Sequence, residues 1–532
     1  MDSNLSAKRK EVAGFFLDNN MLLSKDFIEK VSSDFDKQRF YEWLNAKAGK
    51  ENLLLLNNHV IDILNEGCAT YDWSVFERTK ALEEKGIDRK SHNDLLESIK
   101  NRNASTNRTA EGHSCVSVIS SYDQEPKKKE ISDFIYLFNK RYEAIKRILL
   151  NRQELQSATS ISRLSNKKDK SACSVIGSVM DKSTTANGNI MLTLEDQTGA
   201  IKVFFGKNKP ELFELAREIV LDEVIGVTGT NGDNIIFANN ILLPDMPVHK
   251  EIKKSPDKCY AVFLSDLHVG SDKFLPGEFR KFLSWIRGET GTESQKFIAS
   301  RVKYIFIVGD LVDGVGIYPE QDSELEIKDI YEQYTECAML LKEIPNHIRI
   351  IICPGNHDAL RISEPQPQLS REYAKSLWGL NNVIMVSNPA LVNIHSSENF
   401  PGFDVLLYHG YSFDYYVANV DPIREKGGYD RADLIMKFLL QRRHLAPAYT
   451  STLYVADPQK DHLVLERPPD FFATGHIHKS YVASYRNITT ICGSCWQSTT
   501  TFQEKVGHNP EPARVPIVDL NTRKVKILRF DK

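Results

Sequence analysis

The sequence predicts an α/β (α+β) multidomain protein, and three observations support this prediction. The chain has 532 residues. Because domains average about 150 residues, a chain of this length needs more than one hydrophobic core. Residues 170–247 contain β-branched runs separated by Gly, Asn and Asp, which is typical of a small β barrel. From residue 256 onward, short apolar strands alternate with helical segments. We therefore expect a helical N-terminal region, a β barrel and a larger sandwich-like domain.

The composition excludes several classes of protein. Hydrophobic residues make up 41% and charged residues 26% of the chain, unlike collagen-like, coiled-coil or disordered sequences. The 68 Lys and Arg against 71 Asp and Glu give a net charge of −3, which favours no class of partner. Eight cysteines are too few for a disulfide scaffold. No segment has the apolar pattern of a signal peptide or a membrane span, so we expect a cytoplasmic protein without a membrane partner.

The N-terminal third is predicted to contain two regions. Residues 1–90 are expected to form a small helical domain, because Val12, Phe15 and Phe16 belong to one apolar set. Residues 91–169 are expected to be a polar linker followed by a helix. The apolar residues of that helix have helical spacing, and its opposite face is basic. This basic face either contacts DNA or is only solvated.

A hairpin within the predicted barrel carries a recognisable pattern. The segment 194-LEDQTGAIKV-203 resembles the L-x-D-x-T-G-x-I hairpin of nucleic-acid-associated OB-folds. Such folds stack bases on aromatic side chains, and Phe204, Phe205 and Phe237 are the candidates here. The barrel at 170–247 is therefore expected to be an OB-fold domain that either binds DNA or packs on its neighbour.

Five apolar strands in the C-terminal half each end in a cluster of polar residues. The clusters contain Asp266 and His268; Asp310 and Asp313; Asn356, His357 and Asp358; His409; and His476 and His478. Loops after strands are where α/β folds gather functional side chains. Carboxylate, amide and imidazole groups without thiolates suit Mn²⁺, Mg²⁺, Fe or Zn²⁺ and not a structural Cys₄ zinc site. The pattern predicts a site for two divalent metal ions.

Two of the clusters have alternating spacing. These are Asp266-x-His268 and His476-x-His478. In an extended chain, side chains two residues apart point to the same side of the backbone. We therefore expect each pair to address one metal site.

Taken together, the five clusters resemble the signature of the calcineurin-like metallophosphoesterases. Within that superfamily, 309-GDLVDGVGIYP-319, 353-CPGNHDALRISEPQPQ-368 and 409-HGYSFD-414 resemble the small subunits of archaeal family D DNA polymerases. The resemblance extends over about 170–505 and is loose in the first 170 residues. It implies a calcineurin-like domain at 256–532, which is a two-sheet β sandwich flanked by helices.

The resemblance also implies the ligands of each metal ion. The first ion would be bound by Asp266, His268 and His478, the second by Asn356, His409 and His476, and both by Asp310. The expected cofactors are two Mn²⁺ ions, with Mg²⁺, Fe or Zn²⁺ as alternatives. Such a pair would hold a hydroxide in line with the phosphorus of a DNA phosphodiester.

Three further residues receive roles from the resemblance. His357 would stabilise the transition state or protonate the leaving 3′ oxygen. Asp358 either orients His357 by accepting a hydrogen bond or caps the loop. Tyr411 stands where the family usually has Arg, so it would bind substrate by stacking on a base or by one hydrogen bond. For Asp313, a carboxylate behind the ligands and a turn former before Gly314 remain open.

The function implied by the resemblance is a metal-dependent 3′→5′ exonuclease for proofreading, as the small subunit of a two-subunit replicative DNA polymerase. The expected partners are a large catalytic subunit, in a heterodimer or larger assembly, and DNA with single-stranded 3′ ends or mismatched primers. A sliding clamp and a primase are further candidates. The alternative function is a non-catalytic scaffold subunit of the polymerase, which the full set of ligand types disfavours.

Overall fold

The computed structural model describes part of the chain in detail. The described residues are 2–18, 22–23, 28, 31, 35–48, 55–56, 115–124, 127–167, 169–500, 503–504 and 509–531. Much of the predicted helical domain at 1–90 and the first part of the predicted linker lie outside them. The chain divides into two units, Met1–His113 and Ser114–Lys532.

The first unit contains the helices expected near the N-terminus. Its described elements are helices α1 (Asp2–Asp18) and α2 (Lys37–Ala48) and the short parallel strands β1 (Leu22–Leu23) and β2 (Leu55–Leu56). Val12 and Phe16 of α1 and Phe40 and Leu44 of α2 are buried. The rings of Phe16 and Phe40 meet edge to face with centroids 6.1 Å apart. The two helices therefore share a small apolar core.

The second unit begins with a strand and a helix that precede the barrel. Its first elements are β3 (Val116–Ser121), α3 (Ile131–Leu149) and α4 (Ile161–Ser165). Helix α3 corresponds to the predicted amphipathic helix and begins with a capping box between Glu130 and Asp133. Its Tyr142 hydroxyl donates a hydrogen bond to the Ile176 carbonyl in the barrel at 3.1 Å. Helix α3 is thus anchored to the barrel.

The predicted β barrel is confirmed as a closed five-stranded barrel. Its strands are β4 (Ala172–Thr184), β5 (Ile190–Asp196), β6 (Gly199–Phe205), β7 (Val224–Asn231) and β8 (Ile235–Leu242), and helix α5 (Pro210–Arg217) joins β6 to β7. The strand order is β4-β5-β6-β8-β7, with β7 pairing back to β4. Asp196 closes the β5–β6 turn by accepting hydrogen bonds from the amides of Thr198 and Gly199 at 2.8 and 3.1 Å.

The remainder of the second unit is a two-sheet sandwich. Its strands are β9 (Tyr260–Leu264), β10 (Val302–Val308), β11 (Arg349–Cys353), β12 (Val383–Met385), β13 (Ala390–Ile394), β14 (Phe403–Leu407), β15 (Phe471–Thr474), β16 (Tyr481–Tyr485), β17 (Ile488–Cys492), β18 (Arg514–Asp519) and β19 (Val525–Arg529). One sheet has the order β12-β11-β10-β9-β18-β19 and the other β16-β17-β15-β14-β13-β3. The α/β sandwich predicted from the sequence is confirmed.

An aromatic core joins the two sheets. Phe263 and Phe306 of the first sheet stack with centroids 4.9 Å apart, and Phe471 of the second lies 6.2 Å from Phe263. Helices cover the outer faces; they are α6 (Pro276–Ile286), α7 (Glu293–Ala299), α8 (Ile330–Lys342), α9 (Lys375–Trp378), α10 (Phe413–Asn419), α11 (Asp421–Glu425) and α12 (Ala432–Arg442). The central strands of each sheet are thereby buried on both faces, as their nearly continuous apolar sequences require. None of the helices in the described ranges has the length and apolar character needed to cross a membrane.

One boundary of the sequence prediction is wrong. Residues 116–121 were assigned to the polar linker within 91–169, but they form β3, which pairs antiparallel with β13 at the edge of the second sheet. An edge strand needs few apolar residues, and Val118 stays 43% exposed. The local sequence of β3 therefore looks like that of a linker, and only the pairing with β13 identifies it as a strand.

Candidate metal centre

The predicted ligands follow the carboxyl ends of parallel strands from both sheets. Strands β9, β10 and β11 are parallel neighbours and lead into the loops of Asp266, Asp310 and Asn356. Strands β14 and β15 are also parallel and lead into His409 and His476. The carboxyl ends of parallel strands meet at one edge of a sheet. The two loop groups come together at one edge of the sandwich.

The first group of donors consists of Asp266, His268 and His478. The Nε2 atoms of the two histidines lie 3.1 Å apart, and Nε2 of His478 lies 3.4 Å from Oδ1 of Asp266. All three side chains are buried. One donor atom of each falls within 4.8 Å of the others, so the three could hold a metal ion together.

The second group is centred on the amide oxygen of Asn356. This Oδ1 lies 3.0 Å from Nε2 of His409 and 3.0 Å from Nδ1 of His476. Asp310 lies between the two groups, because its Oδ2 is 3.2 Å from Nε2 of His409 and 3.9 Å from Nε2 of His268. The seven residues therefore form two adjoining groups of donors, with the Asp310 carboxylate between them.

Three of the histidines are held through their outer nitrogen. Nδ1 of His409 donates to the Val308 carbonyl at 2.9 Å, which leaves Nε2 facing the site. Nδ1 of His268 pairs with Oδ1 of Asp313 at 3.0 Å, and Nε2 of His476 pairs with Oδ2 of Asp414 at 3.1 Å. Such outer hydrogen bonds fix the ring orientation of metal-binding histidines. Of the two alternatives for Asp313, the carboxylate behind the ligands is the one found.

The backbone of the ligand loops is left-handed and not extended. The residues with positive φ are Asp266 at 52°, His268 at 52°, Asp310 at 52°, His476 at 72° and His478 at 53°. Residues other than glycine seldom adopt this conformation, and it concentrates at functional sites. The expectation that each alternating pair addresses one site is wrong for His476 and His478. Because the chain turns between them, His476 faces Asn356 and His478 faces Asp266.

Two glycines make room for these contacts. A Cβ atom at Gly355 would lie 2.2 Å from Oδ1 of Asp310, and one at Gly309 would lie 2.2 Å from Nδ1 of His409. Gly309 also has a φ of 85°, which favours glycine. A side chain at either position would displace a predicted ligand.

The electrostatics of the centre favour a bound cation. Burial alone would raise the pKa of Asp310, but the charges of His409 and His357 hold it well below its usual range. Burial alone would lower the pKa of His409, but Asp310 raises it to about 10. The buried carboxylates thus draw positive charge onto the imidazoles. Divalent ions would supply that charge directly, so oxygen and imidazole donors of this kind fit the expected metals.

His357 lies beside the first group of donors. Its ring centroid is 4.6 Å from that of His268, and its Nδ1 donates to the Asp313 carbonyl at 2.8 Å. Of the two alternatives for Asp358, the loop cap is the one found. Asp358 accepts hydrogen bonds from the Gly355 amide at 2.9 Å and the Tyr334 hydroxyl at 3.1 Å. The Asp358 carboxylate caps the loop, and the main chain of the neighbouring loop orients His357.

Comparison with known proteins agrees with this geometry. The family described as Calcineurin-like phosphoesterase matches residues 261–480. The chain is 41% identical over 401 residues to the DNA polymerase II small subunit of Methanothermobacter thermautotrophicus, covering 75% of this chain and 80% of that one. The chain belongs to the family of DNA polymerase II small subunits. The Archaeoglobus fulgidus member is 41% identical over 73% of this chain and 75% of its own. The Methanocaldococcus jannaschii member is 40% identical over 73% of this chain, which spans 64% of that longer relative.

In this small subunit, Tyr411 lies at the margin of the centre. Its ring centroid is 6.0 Å from that of His476, on the side of the second group of donors. Burial raises the pKa of its hydroxyl. Tyr411 is therefore placed next to the donors without being one of them.

Sequence reasoning missed three residues that support the ligand loops. Asp414 holds His476, and its only signal was its place in the 409–414 motif. Asn388 accepts a hydrogen bond from the His409 amide at 2.9 Å and donates to Gln366 at 2.7 Å. Gln366 in turn donates to the Gly355 carbonyl at 3.1 Å. Asn388 has no local motif, because its role depends on two loops distant in sequence.

Proposed function

We propose that this small subunit is a metal-dependent 3′→5′ exonuclease that hydrolyses DNA phosphodiesters and removes mismatched nucleotides. The observation that carries the proposal is the convergence of oxygen and imidazole donors, buried except for the partly buried Asn356 and His476, into two adjoining groups. The Nε2 atoms of His268 and His478 lie 3.1 Å apart and Oδ1 of Asp266 lies 3.4 Å from that of His478, so one cation would be within reach of all three donors. Structural ion pairs alone do not require such an arrangement.

The proposed ligand sets follow the two groups of donors. Asp266, His268 and His478 would hold one ion, Asn356, His409 and His476 the other, and Asp310 both. Two divalent ions would neutralise charge on the phosphodiester and activate a water molecule for attack on phosphorus. The protein's contribution is to hold these donors in place through Asp313, Asp414 and the Val308 carbonyl, so that little reorganisation is needed.

His357 is the proposed group that acts on the leaving oxygen. Its Nδ1 is occupied by the Asp313 carbonyl, and its backbone amide donates to Oδ1 of Asp310 at 2.8 Å. These two contacts fix the ring relative to the shared carboxylate and leave Nε2 for a substrate oxygen. We propose that His357 acts as the imidazolium, with Nδ1–H held by the Asp313 carbonyl and Nε2–H stabilising or protonating the leaving 3′ oxygen. Tyr411, near His476, would contact the substrate from the opposite side.

The proposed partners follow from the family. Relatives bear the name of a DNA polymerase subunit, so we propose that this chain assembles with a large catalytic subunit and acts on DNA. Single-stranded 3′ ends and mismatched primers are the proposed substrates. Of the candidate metals, Mn²⁺ is proposed first, because the oxygen and imidazole donor set suits it.

Cleavage of labelled DNA tests the proposal. The purified chain, alone and with its large subunit, is incubated with a 5′-labelled single strand or a 3′-mismatched primer and Mn²⁺, Mg²⁺ or chelator. We expect stepwise shortening from the 3′ end that requires metal and is lost in His409→Ala and Asp310→Asn. His347→Ala, which changes an exposed histidine outside the site, is the matched control. No cleavage with any metal, even with the large subunit, would favour the scaffold function instead.

A further inference from the structure

A loop beside the metal centre exposes aliphatic side chains. It follows β10 and contains Val315, 50% exposed, and Ile317, 37% exposed. A Cβ atom at Gly314 would lie 2.3 Å from the His357 carbonyl oxygen and 2.9 Å from Cγ1 of Ile317. These two distances place the Ile317 side chain next to the main chain of His357. Single exposed apolar residues are common on proteins, but here Ile317 adjoins the proposed catalytic histidine, and Val315 lies two residues before it in the same loop.

Two buried glutamines hold this loop rigidly against the centre. Gln321 accepts a hydrogen bond from the Ile317 amide at 2.9 Å and donates to Oδ2 of Asp313 at 2.8 Å. Gln333 accepts from the Gly314 amide at 2.9 Å and donates to the Gly314 carbonyl at 3.1 Å. The other oxygen of Asp313 holds His268. The exposed aliphatic surface is therefore preorganised relative to the metal ligands, which lowers the entropy cost of binding a ligand there.

The chemistry of this surface selects its ligand. Aliphatic side chains offer no hydrogen bond or charge to a phosphate, but they can pack by apolar contact against the flat face of any nucleobase. In the proposed function, His357 lies on the side of the leaving 3′ oxygen, which belongs to the penultimate nucleotide. The surface next to His357 therefore faces that nucleotide.

We propose that Val315 and Ile317 form a platform for the base of the penultimate nucleotide, an inference that rests on the proposed exonuclease function. A base within a paired duplex is already stacked on its neighbours, whereas an unpaired base is free to leave the stack. The platform thus gives the centre a preference for frayed, mismatched or single-stranded 3′ ends. It selects by base accessibility and not by base identity.

Single abasic substitutions in the DNA test the platform. The full chain with Mn²⁺ is given 5′-labelled single strands that are intact, abasic at the penultimate position or abasic at the terminal position. We expect wild-type kcat/KM to fall about tenfold for the penultimate abasic strand only, as expected for the loss of a base that partly buries two aliphatic side chains. The double variant Val315→Ser with Ile317→Ser should cleave the intact strand as slowly as wild type cleaves the penultimate abasic strand.

Controls separate the platform from damage to the centre. Met339→Ser, which alters a 55% exposed residue on α8, should behave as wild type. The Mn²⁺ affinity of the double Ser variant, measured by calorimetry, should equal that of wild type. The conservative double variant Val315→Ile with Ile317→Leu should keep the wild-type preference for the intact strand over the penultimate abasic strand.

Four results would overturn the inference. The platform would be refuted if the double variant distinguished the intact strand from the penultimate abasic strand as well as wild type does. It would also be refuted if the double variant cleaved all three strands more slowly than wild type by the same factor. Loss of large-subunit binding by the double variant would assign the surface to that protein instead. If wild type cleaves none of the strands, the proposed exonuclease function itself fails and the platform with it, which is distinct from cleavage without discrimination.

Discussion

Replacement of Asp313 by Asn isolates the contribution of the carboxylate that holds His268. Three hydrogen bonds converge on this buried group: Nδ1 of His268 at 3.0 Å and Nε2 of Gln497 at 3.0 Å contact Oδ1, and Nε2 of Gln321 at 2.8 Å contacts Oδ2. Asn has nearly the same shape, but one oxygen becomes an NH₂ group. The substitution therefore changes charge and hydrogen bonding with little change in packing.

These contacts determine how much Asp313→Asn should change the free energy of unfolding and the metal affinity. An NH₂ group at the position of Oδ2 faces the NH₂ group of Gln321, which cannot simply turn over because its Oε1 accepts from the Ile317 amide. The loss of one buried hydrogen bond and the unsatisfied donors cost about 1–3 kcal/mol in free energy of unfolding. Nδ1 of His268 keeps an oxygen acceptor at Oδ1 but loses the negative charge behind it, and altering the outer partner of a metal-binding histidine lowers metal affinity about 10- to 100-fold. We expect both effects in Asp313→Asn.

Calorimetric titration with Mn²⁺ and chemical denaturation measure the two effects separately. The matched control is Asp322→Asn, since Asp322 is an exposed carboxylate in the same loop whose ion pair with Lys328 is solvated. We expect the control to match wild type in both assays. Asp310→Asn is the positive control and should bind Mn²⁺ more weakly than wild type. If it does, and Asp313→Asn still binds Mn²⁺ with wild-type affinity, the idea that Asp313 acts through His268 is refuted.

Three further predictions concern groups outside the ligand set. Asn388→Ala removes the acceptor of the His409 amide, so we expect chemical denaturation to show a loss of about 1–3 kcal/mol, and an unchanged midpoint would contradict it. In the native chain the buried Arg141 guanidinium lies 2.6 Å from Asp461. Because Asp461→Asn removes its counter-charge, we expect the free energy of unfolding to fall by about 3–5 kcal/mol in the same assay. Burial and the charge of Arg141 lower the pKa of His444 to about 4 from 6.5. Because the unfolded chain protonates this ring first, wild-type stability should fall by up to about 3 kcal/mol as the pH drops from 6.5 to 4, and His444→Gln should show a flatter profile.

Much of the fold was predictable because its signals are local. The barrel and the central strands of the sandwich have continuous or alternating apolar runs that pack in any buried sheet. Strand β3 was missed because an edge strand with a half-exposed face has a weak pattern. Its identity as a strand depends on pairing with β13, about 270 residues later in the chain.

The candidate site was predictable in its members but not in all its contacts. Each ligand type stood at a strand end, where sequence position and chemistry coincide. The backbone turn that separates His476 from His478 was not visible, because left-handed residues other than glycine have no reliable local signature. For Asp358 the sequence left a bond to His357 and a loop cap open, and the folded loop decides for the cap by bringing the Gly355 amide to 2.9 Å from its carboxylate.

The sequence by itself determined the kinds of groups at the centre, their order along the chain and the family to which they belong. These properties depend on residue identity and on short-range hydrophobic pattern. Only the tertiary structure decided which ligands share a site, that Asp310 lies between both groups, and that Asp313 and Asp414 hold histidines from behind. It also placed Ile317 beside His357. Such contacts join loops from different strands, so their distances follow from sheet register and loop turns that no local segment of sequence specifies.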